Sequence, residues 1–283
     1  MDTPLTTPPD LPEFDIEMRL LLDAIYLRYH YDFRSYATPS LKRRLRAAMQ
    51  RFGCNTLSQL QDRVLHEAKL FPALLDFLTV HVSELFRDPC YFRALREMVV
   101  PMLHTYPSLK VWVAGCSAGE EAYSMAILLH EEGLLDRSLI YATDINPRAL
   151  QRAGAGVYDI QHLAGWTDNH RRSGAPVSLS DYYTAGYGAA LFDKKLKQHI
   201  VFSDHSLATD SVFAEVQLVS CRNVLIYFDR DLQERAIGLF RDALCHSGFL
   251  GLGAKESLRF SRHGEAFAAV SANDRIFQLR EAR

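Results

Sequence analysis

From Glu13 to about Val80, apolar residues return every three or four positions. Phe14, Leu20, Leu21, Leu22, Ile25, Tyr26 and Tyr29 mark the first such stripe, the period of an amphipathic helix. Ser40 is placed to cap a second helix from Leu41 to Arg51, which Gly53 ends. Thr56 caps a third through the sixties, and Phe71 to His81 reads as a fourth. No strand-like run interrupts them, so the pattern predicts a small all-helical domain over 13–81. A linking segment, 82–108, holds one helix from roughly Cys90 to His104.

The pattern then changes. Leu109 to Ala114, Leu139 to Thr143, His199 to Phe202, Val216 to Ser220 and Phe249 to Gly253 are short apolar runs. Helical stretches separate several of them, notably Glu120 to Leu135 and Asp229 to His246. Strands alternating with helices predict a parallel α/β sheet over 109–283. Arg275 to Leu279 reads as a last strand, antiparallel at the sheet edge. Residues 160–197 are polar, contain Gly174, Pro176, Gly186 and Gly188, and show little helical period. A structureless loop of that length is uncommon in a compact domain, so an inserted subdomain is expected.

Composition adds limits. Hydrophobic residues make up 48% and charged residues 23% of the 283, which allows a sizeable core. The net charge of -2 argues against bulk nucleic-acid binding. No apolar run reaches the length of a membrane span. Residues 1–12, rich in Pro and Thr and expected to fray, have no Lys or Arg and no apolar stretch of a secretory signal. The five cysteines are scattered, with no CxxC pair, and fit reduced core residues better than disulfides or zinc ligands. A cytoplasmic location and no metal site are expected.

The first strand runs into Gly115-Cys116-Ser117-Ala118-Gly119-Glu120-Glu121. The glycines permit a sharp turn at a strand's carboxyl end, where α/β sheets bind ligands. The spacing is neither G-x-G-x-x-G nor a phosphate loop. Two carboxylates at a helix start would repel a pyrophosphate and favour a ligand bearing an ammonium group. The plainer alternative is that they only complement the helix dipole. The second strand ends in Asp144, placed to accept hydrogen bonds from ribose hydroxyls; a helix cap at Asp144 or Asn146 is the alternative. Val216 to Ser220 leads into Cys221-Arg222-Asn223-Val224-Leu225-Ile226-Tyr227-Phe228. Arg222 and Asn223 would then stand at the same edge. Tyr227 can offer a ring face to a sulfonium, or, like Phe228, can simply fill the core.

Taken with Ser83-Glu84-Leu85-Phe86-Arg87-Asp88 and Ala142-Thr143-Asp144-Ile145, these segments resemble the CheR family of chemoreceptor methyltransferases over about residues 13–281. The resemblance implies a class I S-adenosylmethionine-dependent methyltransferase sheet, a small N-terminal helical domain and a β-subdomain inserted at about 160–197. In some members that subdomain grips a receptor tail peptide. The implied cofactor is S-adenosylmethionine, with S-adenosylhomocysteine as product. Carried over by position, the implied cofactor contacts are His81, Ser83, Arg87, Glu121, Asp144, Ser206, Leu207, Arg222 and Asn223. Arg87 and Tyr227 resemble the arginine and tyrosine beside the transferring methyl. The chain departs from the family at His81 (usually Asn), Ser83 (Thr), Leu85 (Phe), Ser206 (Asn) and Ala122 (Pro).

The implied reaction is methyl transfer to glutamate carboxylates of a chemoreceptor-like protein. A glutamate is already ionised at pH 7, so no strong general base is required, and no catalytic triad or H-E-x-x-H helix occurs. Positioning would dominate catalysis, with Arg87 orienting the incoming carboxylate. Lys42, Arg43 and Arg46, on a helix with five cations in eleven residues, form a candidate surface for a glutamate-bearing receptor helix. A solvated face is the plainer reading of such a run. A CheR-like module that binds S-adenosylmethionine or docks on a receptor with little turnover is the alternative function. A small-molecule methyltransferase fits the inserted segment and basic helix less well.

Overall fold

A computed structural model describes residues 12–80 and 82–280. The chain divides into two compact units, one ending at Thr79 and the other starting at Val80.

The first unit holds α1 (Glu13–Tyr29), α2 (Thr38–Phe52), α3 (Leu57–His66) and α4 (Leu70–Leu78). Met18, Leu21, Leu22 and Ile25 form the buried stripe of α1. The Thr56 hydroxyl caps α3 by accepting the Gln59 N–H at 3.1 Å. Tyr29 ties α1 to α3 through a 2.6 Å bond to the Val64 carbonyl, and its ring stacks on Phe71 of α4. Contrary to the pattern, Ser40 does not cap α2. Pro39 sits in the first turn, where its missing N–H costs nothing, so the helix starts earlier. The Ser40 hydroxyl instead accepts from Arg44.

The second unit opens with α5 (Pro89–Ala94), a π-helical turn over Leu95–Val99, and α6 (Val100–Leu103). The expected helix is thus present as one continuous run with a π turn ahead of Pro101, which has no N–H to continue an α-helical ladder. Next come β1 (Leu109–Ala114), α7 (Glu120–Glu131), β2 (Ser138–Asp144), α8 (Pro147–Ala155), β3 (Val157–Asp159) and α9 (Leu163–Arg172). Then follow β4 (Tyr183–Gly186), β5 (Ala189–Phe192), α10 (Lys194–Lys197), β6 (Ile200–Asp204), β7 (Val216–Cys221) and α11 (Arg230–Ala243). The unit closes with β8 (Leu244–Leu252), β9 (Phe267–Ser271) and β10 (Ile276–Leu279).

The main sheet has the order β6-β2-β1-β7-β8-β10-β9. The first five are parallel, and β10 is antiparallel to both neighbours. The last strand therefore lies inside the sheet, not at its edge. β9, with its weak alternation, is the edge strand that the pattern did not reveal. Helix α7 is buried from Ala122 to Leu129, which is why its sequence is apolar on all sides.

The segment 160–197 differs from its expectation. A ten-residue helix, α9, occupies much of it, with Trp166 and His170 buried. The small sheet β3-β5-β4 begins earlier, at Val157. Polar residues on the outer face of α9 obscure the period of the few buried ones.

Candidate functional site

The carboxyl ends of β1, β2 and β7 are adjacent because these strands pair in parallel. Gly115 turns the chain out of β1 at φ +76°, and a Cβ there would lie 2.4 Å from the Val224 side chain. Only glycine meets both demands. Two residues on, Ser117 also has positive φ (52°), and its N–H donates to Asp144 Oδ2 at 2.9 Å. Asp144 Oδ1 accepts the Asn146 N–H at 3.0 Å. Asn146 caps α8 through Arg148 and Ala149. The cap and the strand-terminal acid are therefore different residues. Asp144 is half-buried and held at the ends of β1 and β2 by backbone donors.

Arg222 does not extend as an independent ligand arm. Its side chain is 1% exposed, with Nη1 on Glu121 Oε2 at 3.2 Å and Nη2 on Asp88 Oδ2 at 2.7 Å. Nη2 also donates to the Arg87 carbonyl at 2.8 Å, and the guanidinium covers the Tyr91 ring at 4.2 Å. The Tyr91 hydroxyl meets Ser220 Oγ at 2.8 Å, and Ser220 donates to Glu121 Oε1 at 2.6 Å. Burial pushes the Tyr91 phenol far above its usual range, so it stays neutral. Tyr91 reaches β8 only because Gly251 has no Cβ, which would lie 2.0 Å from the hydroxyl. This network fixes the Phe86–Asp88 loop to the end of β7.

Phe86 and Asp88 have φ of 50° and 56°, and Asn223 of 60°. Bulky residues held in that region store strain that the surrounding contacts must hold. Phe86 is held by a bond from its N–H to the Ser124 hydroxyl (2.8 Å) and by packing on Phe92 and His170. Arg87, between these two positive-φ residues, of which Phe86 is the costly one, is half-buried and donates to the Val82 carbonyl at 3.1 Å.

Glu256, which motif reading did not single out, supports the β7 loop. Its carboxylate accepts the N–H groups of Asn223 (3.1 Å), Val224 (2.9 Å) and Gly253 (2.6 Å). Burial raises its pKa, and these backbone donors oppose the rise. A single acid following β8 carries no spacing signal, so nothing in the sequence marks it.

Ser206 sits after β6. Its hydroxyl accepts the Ala208 N–H, and its own N–H donates to Asp210. The hydroxyl thus shapes its own turn. Leu207 is buried beside it. Tyr227 is half-buried, whereas Phe228 is buried. Ser83 hydrogen-bonds Glu120. His81 lies outside the described residues.

Two polar atoms on the glycine turn lack partners. Ser117 Oγ and Glu120 Oε2 are both buried and make no hydrogen bond. Burial lifts the Glu120 carboxyl above its usual range, while its own backbone N–H and Ser83 act against the rise. Unsatisfied buried groups are rare and costly. A ligand bearing hydrogen-bond donors suits them, and an anion does not.

Comparison with known proteins decides the family. Residues 81–276 match the family described as "CheR methyltransferase, SAM binding domain", and residues 16–79 match "CheR methyltransferase, all-alpha domain". The chain belongs to the CheR methyltransferase family. It is 57% identical over 264 residues to a Pseudomonas putida protein named "Putative methyltransferase Cher3", covering 93% of this chain and 97% of that one. A Vibrio cholerae "Chemotaxis protein methyltransferase 1" is 32% identical, with 77% of this chain and 80% of that one covered. A Listeria innocua "Chemotaxis protein methyltransferase" is 30% identical, with 80% and 84% covered. The main sheet is accordingly that of a class I S-adenosylmethionine-dependent methyltransferase, and the four-helix unit is the family's all-α domain. Asp144, the donor-seeking turn and the polar residues after β7 fit S-adenosylmethionine, which carries ribose hydroxyls and two cationic groups.

Proposed function

We propose that this protein methylates glutamate side-chain carboxylates of a chemoreceptor-like signalling protein, giving glutamate methyl esters. The observation that carries this reading is the carboxyl edge of β1, β2 and β7. There a strand-terminal acid, a glycine turn with unsatisfied buried acceptors, and an arginine loop tied to Arg222 stand at adjoining strand ends.

S-adenosylmethionine, when bound, supplies a methyl group on a positively charged sulfur. Asp144, the glycine turn and the residues after β7 would hold the cofactor, and an ionised glutamate would need no general base from the protein. Asp144 is assigned to ribose hydroxyls, which its anchored carboxylate can accept. Leu207 and the Ser206 turn border the base. Glu121 and Arg222 hold the floor of the site, and Asn223 offers its amide beside it. Arg87 is assigned to orient the incoming carboxylate by a charge-assisted bond. Its backbone carbonyl is held by Arg222, and its guanidinium donates to the Val82 carbonyl. Tyr227 lies on the same loop as Asn223 and is assigned to the reacting sulfonium's surroundings. Holding nucleophile and methyl in line can supply roughly 7–11 kcal/mol of the barrier.

The Ser206 hydroxyl, engaged in its own turn, is shorter than the asparagine that the resemblance places there. That substitution favours a second reading, a docking or sensing module with little turnover. Transfer of labelled methyl to a glutamate-bearing receptor fragment separates the two. Alkali-labile label released as methanol is the expected result. Alkali-stable label would reject carboxyl methylation, and no label with cofactor bound would favour the module.

A further inference from the structure

The loop after β8 opens on the same edge as Asn223–Tyr227, because β8 pairs in parallel with β7. It is pinned, not loose. Glu256 is buried and holds the Asn223 and Val224 N–H groups, Leu258 is buried, and the Phe260 carbonyl accepts from Arg230 at 3.4 Å. Further on, the Ser261 hydroxyl and the Arg262 N–H both donate to Glu234. With Glu256 and Leu258 turned inward, Lys255, Ser257 and Arg259 are left exposed. Phe260 follows, 75% exposed, with the Arg259 guanidinium 5.6 Å from its ring centre. Some cations of this region are already answered. Arg262 is paired with Glu234 at 3.4 Å, and Arg230 stands next to Asp231 at the start of α11. Lys255 and Arg259 have no acid at ion-pair distance among the described residues.

We propose that Lys255, Arg259 and Phe260 form a docking surface for a glutamate-bearing helix of the acceptor protein. This rests on the carboxyl-methylation reading above and adds to it a place on the methyltransferase unit where the acceptor is gripped. Unpaired surface cations steer an acidic partner and are screened by salt. An aromatic ring carried on a pinned loop loses little freedom when covered, and aromatics and arginine are the residues that interfaces favour. Carboxylates four residues apart on a helix stand about 5–6 Å from each other between Cβ atoms. One turn of helix therefore offers two of them together, with room for an apolar side chain on Phe260. Attachment to an anionic membrane calls for clusters of roughly four to eight cations, which this loop does not supply. Glu256 ties the surface to the loop that carries Tyr227, so a helix seated here lies beside the proposed transfer site.

The test is binding of a labelled alanine-based helical peptide, with glutamates at every fourth position and leucines beside them. Fluorescence anisotropy reads it on protein saturated with S-adenosylhomocysteine. Lys255→Ala with Arg259→Ala should weaken the peptide about tenfold at low salt and by a smaller factor at high salt. Phe260→Ala should weaken it about fivefold or more at both. All three side chains are exposed, so Tm and S-adenosylhomocysteine affinity should keep their wild-type values. Unchanged peptide affinity in the double variant or in Phe260→Ala overturns the assignment. Losses seen only with phosphatidylglycerol vesicles, and not with the peptide, also overturn it and mark a membrane contact. If the wild type binds S-adenosylhomocysteine but not the peptide, the docking surface fails alone. If it binds the peptide but not S-adenosylhomocysteine, the cofactor reading fails, and the same variants on the unliganded protein decide the docking surface.

Discussion

Arg222 is the side chain whose loss reaches furthest. Its guanidinium, buried between Glu121 and Asp88 and stacked on Tyr91, also holds the Arg87 carbonyl. Arg222→Ala leaves two carboxylates without their cation and frees the strained loop. Breaking a buried ion pair from one side costs roughly 3–5 kcal/mol, to be read as a lower midpoint in denaturant unfolding. Arg222→Lys should not restore it, because one ammonium cannot reproduce the two-nitrogen fork. Glu120 predicts a pH effect of definite sign. Its carboxyl is raised in the folded protein by burial, so its contribution to stability is full at low pH and fades as pH rises through the folded value. Glu120→Gln should flatten that loss of stability with pH, read as Tm across a pH series. A fall of Tm with pH as steep in the variant as in the wild type would contradict the account. Motifs in the sequence pointed to Asp144, Arg222 and the glutamate pair. They did not distinguish the two glutamates, because neighbours on a helix diverge by about a quarter turn and only their surroundings separate their roles.

At the scale of elements, the loop after β7 depends on an acid from another segment. Glu256 gathers N–H groups from both Asn223–Val224 and Gly253. Glu256→Ala removes the acceptor for three backbone donors, one buried and two partly buried, and each such bond to a charged group is worth about 1.5–3 kcal/mol. The expected outcome is a large fall in Tm. In the milder Glu256→Gln, weakened cofactor affinity should accompany a smaller fall, measured by calorimetry on protein that remains folded. The parallel strands were legible from their apolar runs and from the helices between them. β9 and the placement of β10 were not, since short antiparallel strands at the end of a sheet leave little periodicity. α9 escaped for the same reason. Only Leu163, Trp166 and His170 are buried on it, and small and polar residues fill the rest.

At the scale of the whole molecule, the chain combines an all-α unit with a methyltransferase unit, and each has its own charge logic. On α2, Lys42 is paired with Asp15 at 2.6 Å, whereas Arg43 and Arg46 are exposed, with Arg46 over the Phe14 ring. Compensation within the unit therefore removes Lys42 from most of the proposed docking charge. Arg43→Ala with Arg46→Ala should raise KM for a receptor fragment several-fold, more so at low salt. Lys42→Ala alone should change it little. Cofactor affinity should be unaffected in both variants, and an unchanged KM in the double variant would remove α2 from the docking surface. The division of the chain was visible as a switch from helical period to alternating strands and helices. The pairing of Lys42 with Asp15 was not, because nothing in a charge run says which members are already satisfied. The central claim is that the edge around Asp144 binds S-adenosylmethionine. Its most direct test is calorimetric titration of the wild-type protein and Asp144→Ala with S-adenosylhomocysteine. The account predicts binding by the wild type and its loss in a variant that keeps its fold. Equal binding by both proteins would contradict it.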